Sequence, residues 1–84
     1  MTPSTTHPIR SIPLSSALTG QSVAFVALAG GGAALLHRLA ELGLTPGRTM
    51  HVIRHSKGPF IVSIRGVRMA LGLGMVRRML VRPL

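Results

Sequence analysis

The chain of 84 residues contains no cysteine, no tryptophan, no tyrosine and no aspartate, and Glu41 is its single acid. Without cysteine, neither a disulfide framework nor a thiolate zinc ribbon can supplement the core, which favours a reducing, cytoplasmic setting. With one carboxylate, the paired carboxylates of a glycosidase and a Ser-His-Asp triad cannot be assembled within one chain. The Gly30-Gly31-Gly32 run precedes a helical pattern, but the Gly-Lys-Ser or Gly-Lys-Thr of a phosphate loop is missing. The inventory therefore speaks against an enzyme. A long apolar run is missing as well: the longest uncharged one, Val23 to Leu36, has three glycines and is too short to span a bilayer. The amino-terminal stretch MTPSTTHPIRSIPL lacks the apolar block of a signal peptide. Residues 1–11 read as a flexible leader and residues 12–84 as one domain.

What the chain does have is positive charge and a large apolar fraction. Ten Lys and Arg against one acid give a formal net charge of +9, and 46 % of the residues are hydrophobic. Such a surface is drawn to polyanions, either nucleic acid or an anionic membrane leaflet, where each basic residue contributes about 1 kcal/mol. Seven of the ten basic residues, from Arg54 onward, would suit a phosphate-tracking face. Nucleic-acid binding is thus the main alternative function. Only Phe25 and Phe60 are aromatic, however, and Phe25 sits in a run that is apolar on both faces, so base stacking is poorly provided for.

Local patterns predict about five short strands and one helix. Ser22 to Ala29 alternates with both faces apolar, the mark of a buried strand. Ala33 to Leu42 sets Leu35, Leu39 and Leu42 on one helical stripe with Leu36 beside it, and His37, Arg38 and Glu41 opposite. Gly43 stands where a left-handed cap is expected, and Leu44 can fold back on the stripe. Thr45-Pro46-Gly47 reads as a turn. Thr49 to His55 and Phe60 to Arg65 form a hairpin around Ser56-Lys57-Gly58-Pro59. Gly66 breaks the run, Val67 to Leu71 is a further strand, and Met75 to Val81 is the last, with Pro83 ending the pairing. Short strands around a small core close into a barrel because closure removes unpaired edges. The expected fold is mainly β, a small, partly open barrel with one short helix inserted after the first long strand.

The order of the pieces carries a resemblance. Leu18-Thr19-Gly20-Gln21, the apolar strand, the triple glycine, then Arg38-Leu39-Ala40-Glu41-Leu42-Gly43-Leu44-Thr45-Pro46-Gly47, and later Ile64-Arg65-Gly66-Val67-Arg68-Met69-Ala70-Leu71 together resemble the FeoA family. Two departures stand out: Thr-Gly-Gln replaces the usual Pro-Gly-Gln, and Gly72-Leu73-Gly74-Met75 follows where many members carry charged, often acidic, residues. The resemblance implies an SH3-like domain that is cytoplasmic, non-enzymatic and an accessory of ferrous-iron uptake. Its implied partner is FeoB, a membrane permease with a GTP-binding domain, which would hold it at the inner membrane. FeoA-like domains also end metal-dependent repressors, but the chain offers no helix-turn-helix, so the standalone form is the expectation.

Two sets of site residues follow. For metal, His37 and Glu41 stand at i, i+4 on the helix and could share one zinc or ferrous ion, with His51, His55 and His7 as alternates. A helix-surface hydrogen bond or a solvated pair is the simpler explanation of His37 and Glu41. His51 and His55 are about 13 Å apart along a strand, beyond joint chelation, and read as solvent-facing. No cofactor is required by this reading; the remaining metal ligands would come from another copy, from His7, or from water or anions, and the first of these would bridge copies into a homodimer. For a partner, a groove between helix and barrel, bordered by Leu36, Ala40, Leu44 and Met50 and flanked by Arg38 and Arg48, could accept an apolar segment. The same leucines also fit an ordinary core.

Overall fold

The computed structural model describes residues 11–54 and 59–84. Six antiparallel strands, β1 (Ile12–Pro13), β2 (Ser22–Leu28), β3 (Thr49–Arg54), β4 (Phe60–Ile64), β5 (Val67–Leu71) and β6 (Met79–Pro83), form one sheet in the order β1-β6-β2-β3-β4-β5. Helix α1 (Gly32–Glu41) follows β2, and a single helical turn, α2 (Leu73–Val76), joins β5 to β6. The mainly β architecture agrees with the sequence, and the two end strands, β1 and β5, do not pair with each other.

One face of the sheet supplies the core. Val23 and Phe25 of β2, Met50 and Val52 of β3, Phe60, Val62 and Ile64 of β4, Leu71 of β5, and Met79 and Val81 of β6 belong to one buried cluster. The cluster also takes Leu14 and Ala17 from the segment after β1. Residues adjoining both ends of the sheet thus meet in one core, which requires the sheet to curl. The register follows the pleat: Val52 lies opposite Val62 and Phe60 opposite Leu71, while His51 opposite Ser63 and Ser63 opposite Arg68 form an outward row.

Four expectations are corrected. First, the described residues form six strands where about five were expected, because Ile12 and Pro13 pair with Val81 and Leu80 at the far end of the chain. Second, Met75 to Val81 does not form a strand from its start. Met75 and Val76 enter a helical turn that buries Val76 completely against the segment Leu14–Ser16, and β6 begins only at Met79. Third, Pro83 does not end pairing but is itself paired, opposite Val23. The Leu84 N–H donates to the Ser22 carbonyl, so the alternation of a strand turns the nitrogen of position 83 away from β2, and the missing N–H costs that pairing nothing. Fourth, the leucine stripe of α1 is largely uncovered. Only Leu39 is buried, while Leu36 and Leu42 are 40 % and 48 % exposed, because the strands fill the core and the helix meets it at its last turn alone.

That last turn is set by Gly43. Its φ of 92° is left-handed, and it lets the Gly43 N–H donate to the Ala40 carbonyl and the Leu44 N–H to the Leu39 carbonyl. This double bond pattern closes the helix and brings Leu39 and Leu44, both fully buried, into the core together. The predicted turn also forms, with the Arg48 N–H donating to the Thr45 carbonyl at 2.9 Å and Gly47 at φ 93°. Among the described residues, no helix is long and apolar enough to cross a membrane.

Candidate functional site

Two surfaces carry the residues singled out by sequence, and they lie on either side of the Gly43–Arg48 connection. The first is the outer side of α1. Leu36, His37, Arg38, Ala40, Glu41 and Leu42 are all exposed there. The His37 Nδ1 lies 3.8 Å from the Glu41 Oε2, and both side chains are mostly in water, at 78 % and 65 %. That exposure limits the pair to about 0.5 kcal/mol as an ion pair. As a metal site it is half complete, since no group of three or more metal-ligating side chains occurs among the described residues.

The groove expected to border Leu36, Ala40, Leu44 and Met50 is not formed as drawn. Leu44 and Met50 have no exposed surface and are core residues, drawn inward by the helix cap and by the core-facing parity of β3. Leu36, Arg38 and Ala40 remain available on the surface, and Leu36 borders a shallow hollow with Leu28, Gly30, Gly32 and Ala33. His51 is exposed, as expected, and its Nδ1 lies 2.6 Å from the hydroxyl of Ser22, its cross-strand neighbour. His7 and His55 lie outside the described residues, as does most of the hairpin loop Ser56-Lys57-Gly58-Pro59.

The second surface is a cleft of about 590 Å³ lined by Thr45, Pro46, Gly47, Arg48, Thr49, His51, Arg65 and Gly66. Two turns build it. The Thr45–Arg48 turn is tied to β2, with the Gly47 N–H donating to the Phe25 carbonyl at 2.7 Å and the Phe25 N–H donating to the Arg48 carbonyl at 2.9 Å. Arg65 and Gly66 form the two-residue hairpin between β4 and β5, both with positive φ (54° and 81°), the geometry that matches strand twist. His51 pairs with Ser63, and running that antiparallel register two residues further brings Thr49 beside Arg65.

Arg48 holds an unusual place in this cleft. It has the same parity as the buried Met50 and Val52, so its stem turns inward at the end of β3 and its Nε is buried with no hydrogen-bond partner. Leaving such a donor unsatisfied costs about 1–3 kcal/mol, and more for a charged group. Among the described residues the only ion pair is His37 with Glu41, so neither Arg48 nor Arg65 has a carboxylate partner. Glu41 borders the adjoining hollow with Leu42, Gly43, Arg48, Ile64, Arg65, Val67 and Met69, beyond ion-pair distance of either arginine. Sequence reasoning assigned Arg48 to a partner groove and missed Arg65, Thr45 and Thr49. The available signal was an arginine before glycine in a two-residue hairpin, a position where asparagine or aspartate is usual.

The aromatic residues settle how bases could be met. Phe25 and Phe60 are 1 % and 2 % exposed, so neither offers a stacking face.

Comparison with known proteins places this architecture. The FeoA domain model matches residues 12–83. A Methanocaldococcus jannaschii protein named Fe(2+) transport protein A is 33 % identical over 69 residues, covering 82 % of this chain and 83 % of the relative. Among solved structures, a crystal structure of an iron uptake regulatory protein (FeoA) is 40 % identical with a TM-score of 0.78, covering 89 % of this chain and 99 % of that one. The crystal structure of T. acidophilum IdeR superimposes with a TM-score of 0.79 at 19 % identity, covering 92 % of this chain but 36 % of that one, a likeness of fold alone.

Proposed function

Since this chain belongs to the FeoA domain family, with a role in ferrous-iron transport, we propose that it serves there as a non-enzymatic accessory that binds the cytoplasmic part of a FeoB-type membrane GTPase. The observation that carries the reading is the outer side of α1: a helix whose one fully buried residue is Leu39 leaves Leu36 and Leu42 on the surface near Arg38. Apolar side chains beside a basic one suit an apolar segment with acidic residues at its edge. On this reading the chain works on the cytoplasmic side of the inner membrane, held there by its partner.

The same helix supports a metal-bridged homodimer. One copy supplies His37 and Glu41, and a second copy would complete the coordination of a zinc or ferrous ion. The ion is a bridge in this reading, not a cofactor of any reaction. Nucleic-acid binding is less well supported, since both phenylalanines are buried.

The test has two arms. Deleting the chain should lower ferrous-iron uptake by cells, and Leu36→Arg should reduce co-purification with the cytoplasmic part of the permease. Uptake unaltered by the deletion rejects the transport role. Full recovery of the complex with folded Leu36→Arg protein rejects α1 as the contact face.

A further inference from the structure

We propose that the cleft between the Thr45–Arg48 turn and the Arg65–Gly66 hairpin is an oxyanion site that takes a phosphate group, with the guanidiniums of Arg48 and Arg65 as its charged ligands. The inference is independent of the partner face on α1.

Four observations converge on it. The cleft is lined by two arginines, one histidine and two threonines, and no acidic residue lines it. Among the described residues Arg48 has no carboxylate partner and its Nε finds no acceptor, so its charge is left uncompensated beside the cleft. Arg48 and Arg65 come from different turns, so they approach one ligand from separate directions, which suits a tetrahedral, doubly charged anion better than a flat carboxylate. His51 adds a further donor. When the Ser22 hydroxyl donates to Nδ1, the neutral ring carries its proton on Nε2, and the protonated ring donates from both nitrogens.

Arg65 also carries a positional argument. A non-glycine residue at φ 54° is uncommon, and asparagine or aspartate would be more comfortable at the first position of this turn. An arginine there forgoes backbone preference for a long, charged side chain at the mouth of the cleft. The volume of about 590 Å³ lies within the range of small-molecule sites, so a phosphate bearing a further group is accommodated.

The test titrates the ¹⁵N-labelled chain with inorganic phosphate in a buffer of fixed ionic strength. Saturable amide shifts should be confined to Thr45, Gly47 to Thr49, His51, Arg65 and Gly66. Arg65→Asn removes the guanidinium while favouring the turn, and should weaken binding by about tenfold or more. Arg48→Lys retains the charge but loses the planar, forked guanidinium, and should weaken it as well. Two further probes identify the source of the phosphate: glycerol 3-phosphate for a soluble ester, and phosphatidylglycerol vesicles for a lipid headgroup. Tighter response to either one, lost in Arg65→Asn, supports the site and names its ligand. Equal shifts from acetate, shifts spread evenly to Arg77 and Arg78, or an unchanged phosphate response in folded Arg65→Asn protein would each overturn it.

Discussion

If α1 is held to the sheet by one leucine, Leu39→Ala should damage the protein out of proportion to any other change on that helix. Leu39 has no exposed surface and is the only buried residue of α1, while Leu36, three residues before it, is 40 % exposed. The substitution removes three buried carbons, worth about 2.4 kcal/mol at about 0.8 kcal/mol each. The cavity left beside Leu44 raises the cost towards about 3 kcal/mol, within the range of about 2–5 kcal/mol measured for such changes. A domain of this size has about 4–13 kcal/mol of stability, so the loss is a large share of the whole. At about 4–8 °C per kcal/mol, the melting temperature should fall by about 12–24 °C. Leu36→Ala, in contrast, should stay within about 0.5 kcal/mol of the parent, since alanine favours the helix and little burial is lost. Urea denaturation followed by circular dichroism, with amide exchange to localise the opening to residues 32–44, measures both. A cost for Leu36→Ala equal to that of Leu39→Ala would refute the single-anchor reasoning, and with it the claim that the outer leucines are free for a partner.

Further outcomes follow from other positions. Gly43→Ala should cost about 1–2 kcal/mol through backbone strain at φ 92° alone, since a Cβ there would meet nothing within 4 Å; a neutral result by thermal melting would show that the helix can end another way. Arg65→Asn should be neutral or stabilising by up to about 1 kcal/mol, because it suits the left-handed turn; marked destabilisation would mean that the arginine side chain supports the fold. Calorimetry with zinc should give measurable heat for the parent chain and much less for His37→Ala, with sedimentation showing metal-dependent dimers; heat unaffected by the substitution places any zinc elsewhere.

Local elements were legible in the sequence because their causes are local. Gly43 after a helical stripe, proline and glycine in Thr45-Pro46-Gly47, and the alternation of Phe60 to Ile64 each specify backbone geometry within a few residues, and each appears in place. The candidate metal pair on α1 was legible for the same reason, since i, i+4 spacing on a helix is fixed by its pitch.

What only the tertiary structure decided depends on residues distant in the chain. Ile12 and Pro13 become a strand solely because Leu80 and Val81 offer them an edge, and Met75 and Val76 leave the strand pattern because a helical turn places Val76 in the core. Whether a leucine of α1 is core or surface was equally beyond any periodicity, since the strands had already filled the space that the stripe would occupy. The cleft is the clearest case. Arg48 and Arg65 lie far apart in the sequence, and it is the register of β3 on β4, set by burial of alternate side chains, that brings these two cations to one cleft.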